Sequence, residues 1–135
     1  MAGNSSVISY RDLIVWQRGM ALAAACYRKT RSFPRTEIYG ITSQIRRAAT
    51  SVPSNIAEGN GRETTGAYIN FLRIAQGSLK ETETLVLLAQ DVELMDKNDA
   101  DELLNMCETV GKPLRALIRA LQQKSAEPKV ADYTK

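Results

Sequence analysis

Apolar residues recur every three or four positions in four separate segments of the chain, which is the spacing of one buried face on a helix. The positions of the four sets are Leu13, Trp16, Met20, Ala23 and Tyr27; Ile38, Ile41, Ile45, Ala48, Val52 and Ile56; Tyr68, Leu72, Ala75, Leu79, Thr82, Val86 and Ala89; and Leu103, Cys107, Val110, Leu114, Leu117 and Leu121. The pattern predicts a first helix around residues 13–27 and further helices over about 34–58, 65–93 and 99–123.

Short connections near residues 31–35, 59–64 and 94–98 favour antiparallel neighbours. The chain is therefore predicted to be all-α, an antiparallel up-down-up-down four-helix bundle over residues 10–123. Residues 1–9 and 124–135 are small, polar and without pattern, so we expect disordered tails there. The third segment carries a second apolar set beside the first, which suggests that its helix is central or shared with another subunit; this set is Phe71, Ile74, Leu85, Leu88 and Val92.

Two prolines fall inside predicted helices. Pro53 and Pro113 each interrupt an apolar stripe that keeps its phase beyond the proline, so kinks in the second and fourth helices are predicted rather than breaks. Pro53 leaves the carbonyl of Ala49 without its helical donor, and Ser54, Asn55 or water are candidate replacements.

The stretch that follows, "EGNGRETT", resembles a phosphate-binding loop only in its glycines. Its spacing matches neither GxGxxG nor GxxxxGK[ST], so it is interpreted as a turn between helices. Gly59 is expected to close the second helix in the left-handed conformation, and Thr64 or Thr65 to cap the third.

The composition is that of an ordinary soluble domain, with 44% hydrophobic and 24% charged residues in a chain of 135. The net charge of +3 is unevenly distributed. Residues 1–62 hold nine Lys and Arg against three acids, a balance of +6, which leaves −3 for the remainder. The chain is thus electrically polarised.

The residue types exclude several kinds of chemistry. The chain contains no histidine, and Cys26 and Cys107 are too far apart to form a CxxC motif. Two buried reduced thiols in a cytoplasmic protein are therefore the favoured interpretation. Bundle metal sites use Glu-x-x-His pairs, so neither a metal, a cofactor nor a catalytic site is predicted. The apolar stretch from Leu13 is interrupted by Gln17 and Arg18, which argues against a membrane span.

Basic residues are the main functional lead. The candidates are Arg28, Lys29, Arg31, Arg35, Arg46, Arg47 and Arg62. Clustered cations neutralise nucleic-acid phosphates without regard to base sequence. The alternative is that these residues stabilise helix ends or form subunit contacts.

Three stretches resemble a known family. These are "DLIVWQ" at 12–17, "SFPRTEIYGITSQIRRAATSVPSNIAEGNGRET" at 32–64 and "FLRIAQGSLKETETL" at 71–85. They are similar to the four-helix bundle proteins encoded in intervening sequences of bacterial 23S rRNA genes, often labelled ribosomal proteins and related to accessory proteins of diversity-generating retroelements. The resemblance covers residues 10–123, with FPxxExYG, SNIAEG and RIAxGS as its distinctive strings.

The resemblance implies a bundle that assembles into a ring-like homopentamer without established enzymatic activity. It also implies a basic surface that contacts nucleic acid or a reverse transcriptase. Gln76 departs from this pattern, since the family often has a basic residue there. The strings are matched at Arg46, Arg47, Asn55, Glu58, Gly59 and Arg62, which carry no assigned catalytic role.

Polar residues beside Pro53 suggest a further hypothesis. Asn55 and Glu58 lie three apart and are expected to bond the turn or a neighbouring subunit, while Arg62 or Arg46 pairs with Glu58. Altogether we expect a cytoplasmic, non-enzymatic, oligomeric binding module without membrane contact. Its leading partner is RNA or DNA backbone, and the alternative is a protein-only scaffold whose arginines serve assembly, such as a reverse-transcriptase or ribosome accessory.

Overall fold

Four α-helices and two short 3-10 turns make up the computed structural model, which describes residues 9–126. The α-helices are α1 (Ile14–Thr30), α2 (Ile41–Asn60), α3 (Thr65–Asp91) and α4 (Lys97–Ala126), and the 3-10 turns are Tyr10–Asp12 and Arg35–Glu37. These described residues contain no strand, and the all-α prediction is confirmed. The disorder predicted for the two tails concerns residues that lie largely outside the described range.

The helices pack as a square in cross-section. α1 contacts α2 and α4, and α3 contacts the same two helices, whereas α1 and α3 do not touch. Short connections at 61–64 and 92–96 force successive helices to run antiparallel. The result is the predicted four-helix bundle, with α1 diagonally opposite α3.

The core is built from the apolar stripes of α2, α3 and α4. Fully buried side chains from these helices include Ile45, Val52, Ile56, Leu72, Val86, Leu103, Val110 and Leu114. Leu117 and Leu121 are only partly buried because the bundle ends near the C-terminal turns of α4. The three stripes therefore predicted the core faces of these helices correctly.

The predicted buried face of α1 is only partly correct: Ala23 is buried and Leu13 and Trp16 pack against the core, but the centre of the buried face lies on other residues. α1 buries Val15, Leu22 and Cys26, while Met20 and Tyr27 are 46% and 45% exposed. This helix is apolar on most of its surface, so two stripes with the same spacing were available. The buried stripe contains Gly19, which packs closely on α2: a Cβ built there would already be in contact with Cβ of Pro53 at 3.5 Å, so a side chain larger than alanine would push the helices apart.

The start of the second helix is also corrected. A continuous helix over 34–58 was predicted, but Pro34 precedes a 3-10 turn, and α2 begins only at Ile41. Gly40 has φ −109° and ψ −121°, a backbone conformation that cannot continue a helix. Ile38 consequently leaves the stripe for the surface, and the neighbouring Tyr39 is 96% exposed.

Pro53 and Pro113 lie inside helices that run uninterrupted past them. The absence of a break agrees with the sequence pattern, and the kinks themselves stay predictions. Asn55 does not replace the missing donor to Ala49. Its Nδ2 instead donates to the carbonyl oxygen and to Oγ of Ser51, each at 2.8 Å.

The predicted left-handed closure of α2 at Gly59 is wrong. None of the described glycines has a positive φ, and α2 continues through Gly59 to Asn60. The glycine is needed because α3 approaches closely: a Cβ on Gly59 would lie 2.8 Å from Cβ of Phe71 and 3.0 Å from Cδ1 of Tyr68. The predicted cap of α3 is confirmed, since the Thr64 hydroxyl accepts from the amide of Ala67 at 3.1 Å.

Candidate interaction surfaces

Lys29 ties the end of α1 to the start of α4. Its Nζ lies 3.0 Å from Oδ1 of Asp99 and 3.0 Å from Oε1 of Glu102. These hydrogen bonds raise the pKa of Lys29 above its ordinary value, and the bond to Asp99 has the larger effect. Two carboxylates contact this cation, so Lys29 links the end of α1 to the start of α4.

Arg46 ties α2 to α1. Its guanidinium lies 4.7 Å from the centre of the Tyr27 ring, and its Nε donates to Oγ1 of the buried Thr30 at 2.9 Å. A cation over an aromatic face with a directed hydrogen bond is a well-defined contact within one chain. The hypothesis that Arg46 pairs with Glu58 is therefore not the arrangement found.

Arg62 is the partner of Glu58. Its Nη2 lies 3.4 Å from Oε2 of Glu58, and the guanidinium sits 4.6 Å from the centre of the Phe71 ring. Both charged side chains of the pair are about half exposed, at 47% and 58%. Arg62 thus links the end of α2 to α3 across the glycine-rich turn.

Four candidates remain exposed, and no acidic side chain among residues 9–126 forms a salt bridge with them: Arg28, Arg31, Arg35 and Arg47. Arg28, Arg31 and Arg35 share the end of the bundle where α1 passes into α2. Arg47 lies apart, in a shallow depression between α2 and α3. We call the first three the arginine end.

Met20 and Tyr27, which were predicted to be buried, lie in an apolar groove between α1 and α2. Six of its residues define what we call the α1/α2 groove: Tyr10, Trp16, Met20, Tyr27, Pro53 and Ala57. Sequence reasoning missed this surface, although the signal was present as the second apolar stripe of α1.

A second apolar surface lies on α3. Leu87 and Leu88 near the C-terminal end of this helix and Val92 directly after it are each about half exposed, and we call them the α3 patch. The sequence prediction that α3 is central or shared with another subunit anticipated excess apolar area here. Because α1 and α3 are diagonal, the groove and the patch occupy different sides of the bundle.

The two distinctive sequence strings around Pro53 and Gly77 meet at the α2–α3 contact. Oγ of Ser78 donates to Oγ of Ser51 at 2.8 Å, and Ser51 also accepts from the amide of Asn55. This small network satisfies polar groups at a mostly buried helix contact. Ser51 thus joins Asn55 of its own helix to Ser78 of α3.

Neither cysteine is suited to nucleophilic chemistry. Cys26 and Cys107 are free and buried, and burial raises the pKa of each thiol to about 12. Both thiols therefore stay protonated at neutral pH, whereas the nucleophilic form is the thiolate. Within residues 9–126 no cluster of acidic or cysteine side chains could hold a metal ion, and no helix there is long and apolar enough to cross a membrane.

Glu58→Gln tests how much the Arg62 pair stabilises the turn. Exposed pairs contribute little, so we expect the free energy of unfolding to fall by less than about 0.5 kcal/mol. Chemical denaturation at one protein concentration measures the change, with Glu63→Gln as the control for removing an exposed neighbouring carboxylate. A loss above about 1 kcal/mol, or dissociation of an oligomer by this substitution alone, would show that Glu58 has a contact beyond its own chain.

Comparison with known proteins identifies the fold and the family. A solved structure with a TM-score of 0.70 and 23% identity covers 78% of this chain and 98% of its own; it is a protein of unknown function from the S23 ribosomal protein family of Bacteroides thetaiotaomicron VPI-5482. No curated protein matches significantly. The family model of the 23S rRNA-intervening sequence protein matches residues 11–116. This match covers most of the bundle, and the chain belongs to the 23S rRNA-intervening sequence protein family.

Proposed function

We propose that this protein is a non-enzymatic binding module that assembles head to tail into a ring and presents its arginine end to RNA or DNA backbone. The observation that carries the proposal is the pair of apolar surfaces on different sides of one bundle. Met20 and Tyr27 in the groove and Leu88 and Val92 in the patch are all about half exposed. Apolar surfaces of this kind mark interaction sites.

The relative position of the two surfaces favours a ring. If two copies paired groove to groove, a closed dimer would form and leave the α3 patch in water. If the groove of one copy receives the patch of the next, a free groove remains at one end of the row of copies and a free patch at the other until the ring closes. Five subunits are the number implied by the sequence resemblance, and the same assembly would operate in the cytoplasm.

A ring would also repeat the arginine end once per subunit. A single set of Arg28, Arg31 and Arg35 neutralises only a few phosphates, but linked copies add their contacts at high effective concentration. This makes backbone binding stronger in the assembly than in one subunit. The competing function is a protein-only scaffold, favoured by the observation that Lys29, Arg46 and Arg62 already have partners within the chain.

Complementation of two interface variants tests the assembly. We expect native mass spectrometry to find a ring for the unaltered protein and monomers for Met20→Glu and for Leu88→Glu, because each places an unpaired charge in an apolar contact. In a mixture of the two variants, Met20→Glu supplies an intact patch and Leu88→Glu supplies an intact groove. The mixture should therefore form a heterodimer that stops growing.

Ala120→Glu provides the control, since Ala120 is exposed on α4 and lies outside both surfaces. That variant should keep the ring. A monomeric unaltered protein at micromolar concentration would refute assembly, and mixed variants that stay monomeric would refute contact between groove and patch.

Nucleic-acid binding is tested separately by fluorescence anisotropy with single-stranded RNA and duplex DNA over a salt series. The combined variant Arg28→Gln, Arg31→Gln and Arg35→Gln should bind weakly, and the log–log salt slope should fall by about 0.7 to 0.9 for each phosphate that the variant no longer neutralises. A charge-matched control replaces the exposed Lys112, Arg119 and Lys124 of α4 by Gln. A ring that binds neither nucleic acid at low salt would favour the protein-only scaffold.

A further inference from the structure

A cavity of about 340 Å³ lies between α3 and α4, apart from the groove, the patch and the arginine end. Its lining includes Arg73, Gln76, Gly77 and Lys80 of α3 and Gly111 and Arg115 of α4. Arg73, Gln76 and Gly77 belong to the RIAxGS string, whose Ser78 packs against α2 instead. Nothing in the proposed assembly uses these cavity-lining residues.

A glycine on each helix borders this space. A Cβ built on Gly77 would meet no atom within 4 Å, so the missing side chain corresponds to empty volume beside the helix. Gly111 is buried on the opposite helix, where a Cβ would lie 3.2 Å from Nη1 of Arg115. Glycine in a helix interior costs about 1 kcal/mol relative to alanine, and neither position needs it for a turn.

Positive charge exceeds negative charge around the cavity. Lys80 lies 3.2 Å from Oε1 of Glu83, and Arg115 lies 3.1 Å from Oε2 of Glu108, so both carboxylates of the wall are already paired. Arg73 is exposed, and none of the salt bridges among the described residues includes it. The wall therefore has one cation in excess.

The remaining wall suits the uncharged part of a ligand. Leu79 and Cys107 are buried side chains that contribute an apolar surface, and Gln76 adds an amide with both donors and an acceptor. Pockets of a few hundred cubic ångströms that combine apolar surface with placed polar groups are typical of small-molecule sites, and here charged and polar side chains form most of the wall. The volume is larger than an inorganic phosphate ion requires.

We propose that this cavity binds a small organic phosphate. Arginine recognises phosphate through its planar donors, so Arg73 and Arg115 are placed to hold the phosphate group, with Lys80 as a further cation. The organic part then packs on Leu79 and Cys107, in the open space beside Gly77. This inference is independent of the ring and of the arginine end.

Isothermal titration calorimetry tests the site with AMP, glycerol 3-phosphate and inorganic phosphate at about 0.1 M salt, where exposed charges are screened beyond about 10 Å. An organic phosphate should bind more tightly than inorganic phosphate. Arg73→Gln should weaken binding about tenfold, since it removes one charged hydrogen bond. Gly77→Leu should abolish binding by filling the cavity.

Lys124→Gln removes an equal charge from an exposed position of α4 outside the cavity, and it should leave the affinity unchanged. Circular dichroism of Gly77→Leu checks that the bundle is intact, and Arg73→Gln tests the site without altering its volume. Three results would overturn the inference: no heat with any probe up to about 10 mM, equal losses in the Arg73 and Lys124 variants, or Arg73-dependent binding of single-stranded RNA but of none of the small phosphates.

Discussion

Leu103→Ala is expected to lower the free energy of unfolding by about 2 to 5 kcal/mol, because the removed side chain leaves a cavity that a close-packed bundle fills only in part. Leu103 is completely buried on α4, where it belongs to the stripe that faces the core. Chemical denaturation followed by circular dichroism gives the change. Protein concentration must be held constant because assembly adds to apparent stability.

Leu104→Ala is the matched control, since it removes the same atoms from the next residue of the same helix. Leu104 is only partly buried against the core. We expect a loss of about 1 kcal/mol, corresponding to the smaller apolar area that this side chain withdraws from water. Equal losses for the two variants would contradict the assignment of the α4 core face.

Gly59→Ala is expected to destabilise the protein even though alanine is the better helix former. The added methyl group would lie 2.8 Å from Cβ of Phe71, closer than packed side-chain carbons approach, so α2 and α3 must separate locally. Overpacking of this kind costs about 1 to 3 kcal/mol against a gain of about 1 kcal/mol in helix propensity, so the net loss reaches up to about 2 kcal/mol. Thermal unfolding should show a melting temperature lower by several degrees.

Gly77→Ala should give the opposite sign. Gly77 also lies inside a helix, but its added methyl group meets no atom within 4 Å. Alanine should therefore stabilise α3 by about 0.5 to 1 kcal/mol. If Gly59→Ala were as stabilising as Gly77→Ala, the close contact between α2 and α3 at Gly59 would be refuted.

The core of α2, α3 and α4 could be predicted from sequence because each helix has one dominant apolar stripe. In α2, Ile41, Ile45 and Val52 have polar or small neighbours on the other faces, so only one orientation buries the apolar side chains. The third helix was placed within two residues of its observed ends, 65–93 predicted against Thr65–Asp91. Periodicity is sufficient where the alternative faces are polar.

The errors arose where contacts between distant residues decide the outcome. Val15 and Leu22 of α1 compete with Trp16 and Met20 at the same spacing, and the choice depends on the fit of Gly19 to α2. Gly59 has the sequence position of a helix end, yet its role is set by a residue of the next helix. Local sequence contains no information on either approach distance.

The candidate surfaces were predictable only in part, for the same reason. The basic residues could be counted along the chain, but the partners of Lys29 are carboxylates some seventy positions later, at Asp99 and Glu102. The cavity between α3 and α4 likewise depends on Gly77 and Gly111 facing one another. Such pairs become visible only when the helices are placed.

The contact between Gly19 and Pro53 also limits how α1 and α2 can move. A helix that slides past its neighbour by one turn shifts by about 5.4 Å and exchanges the residues that face each other. Such a shift would bring the larger Val15 or Trp16, or else Leu22 or Ala23, to the place that Gly19 occupies against the proline ring. A Cβ at this place would already be in contact with Pro53, so Val15, Trp16 or Leu22 could face the proline only if α1 and α2 moved apart, and sliding that brings any of these three there is disfavoured.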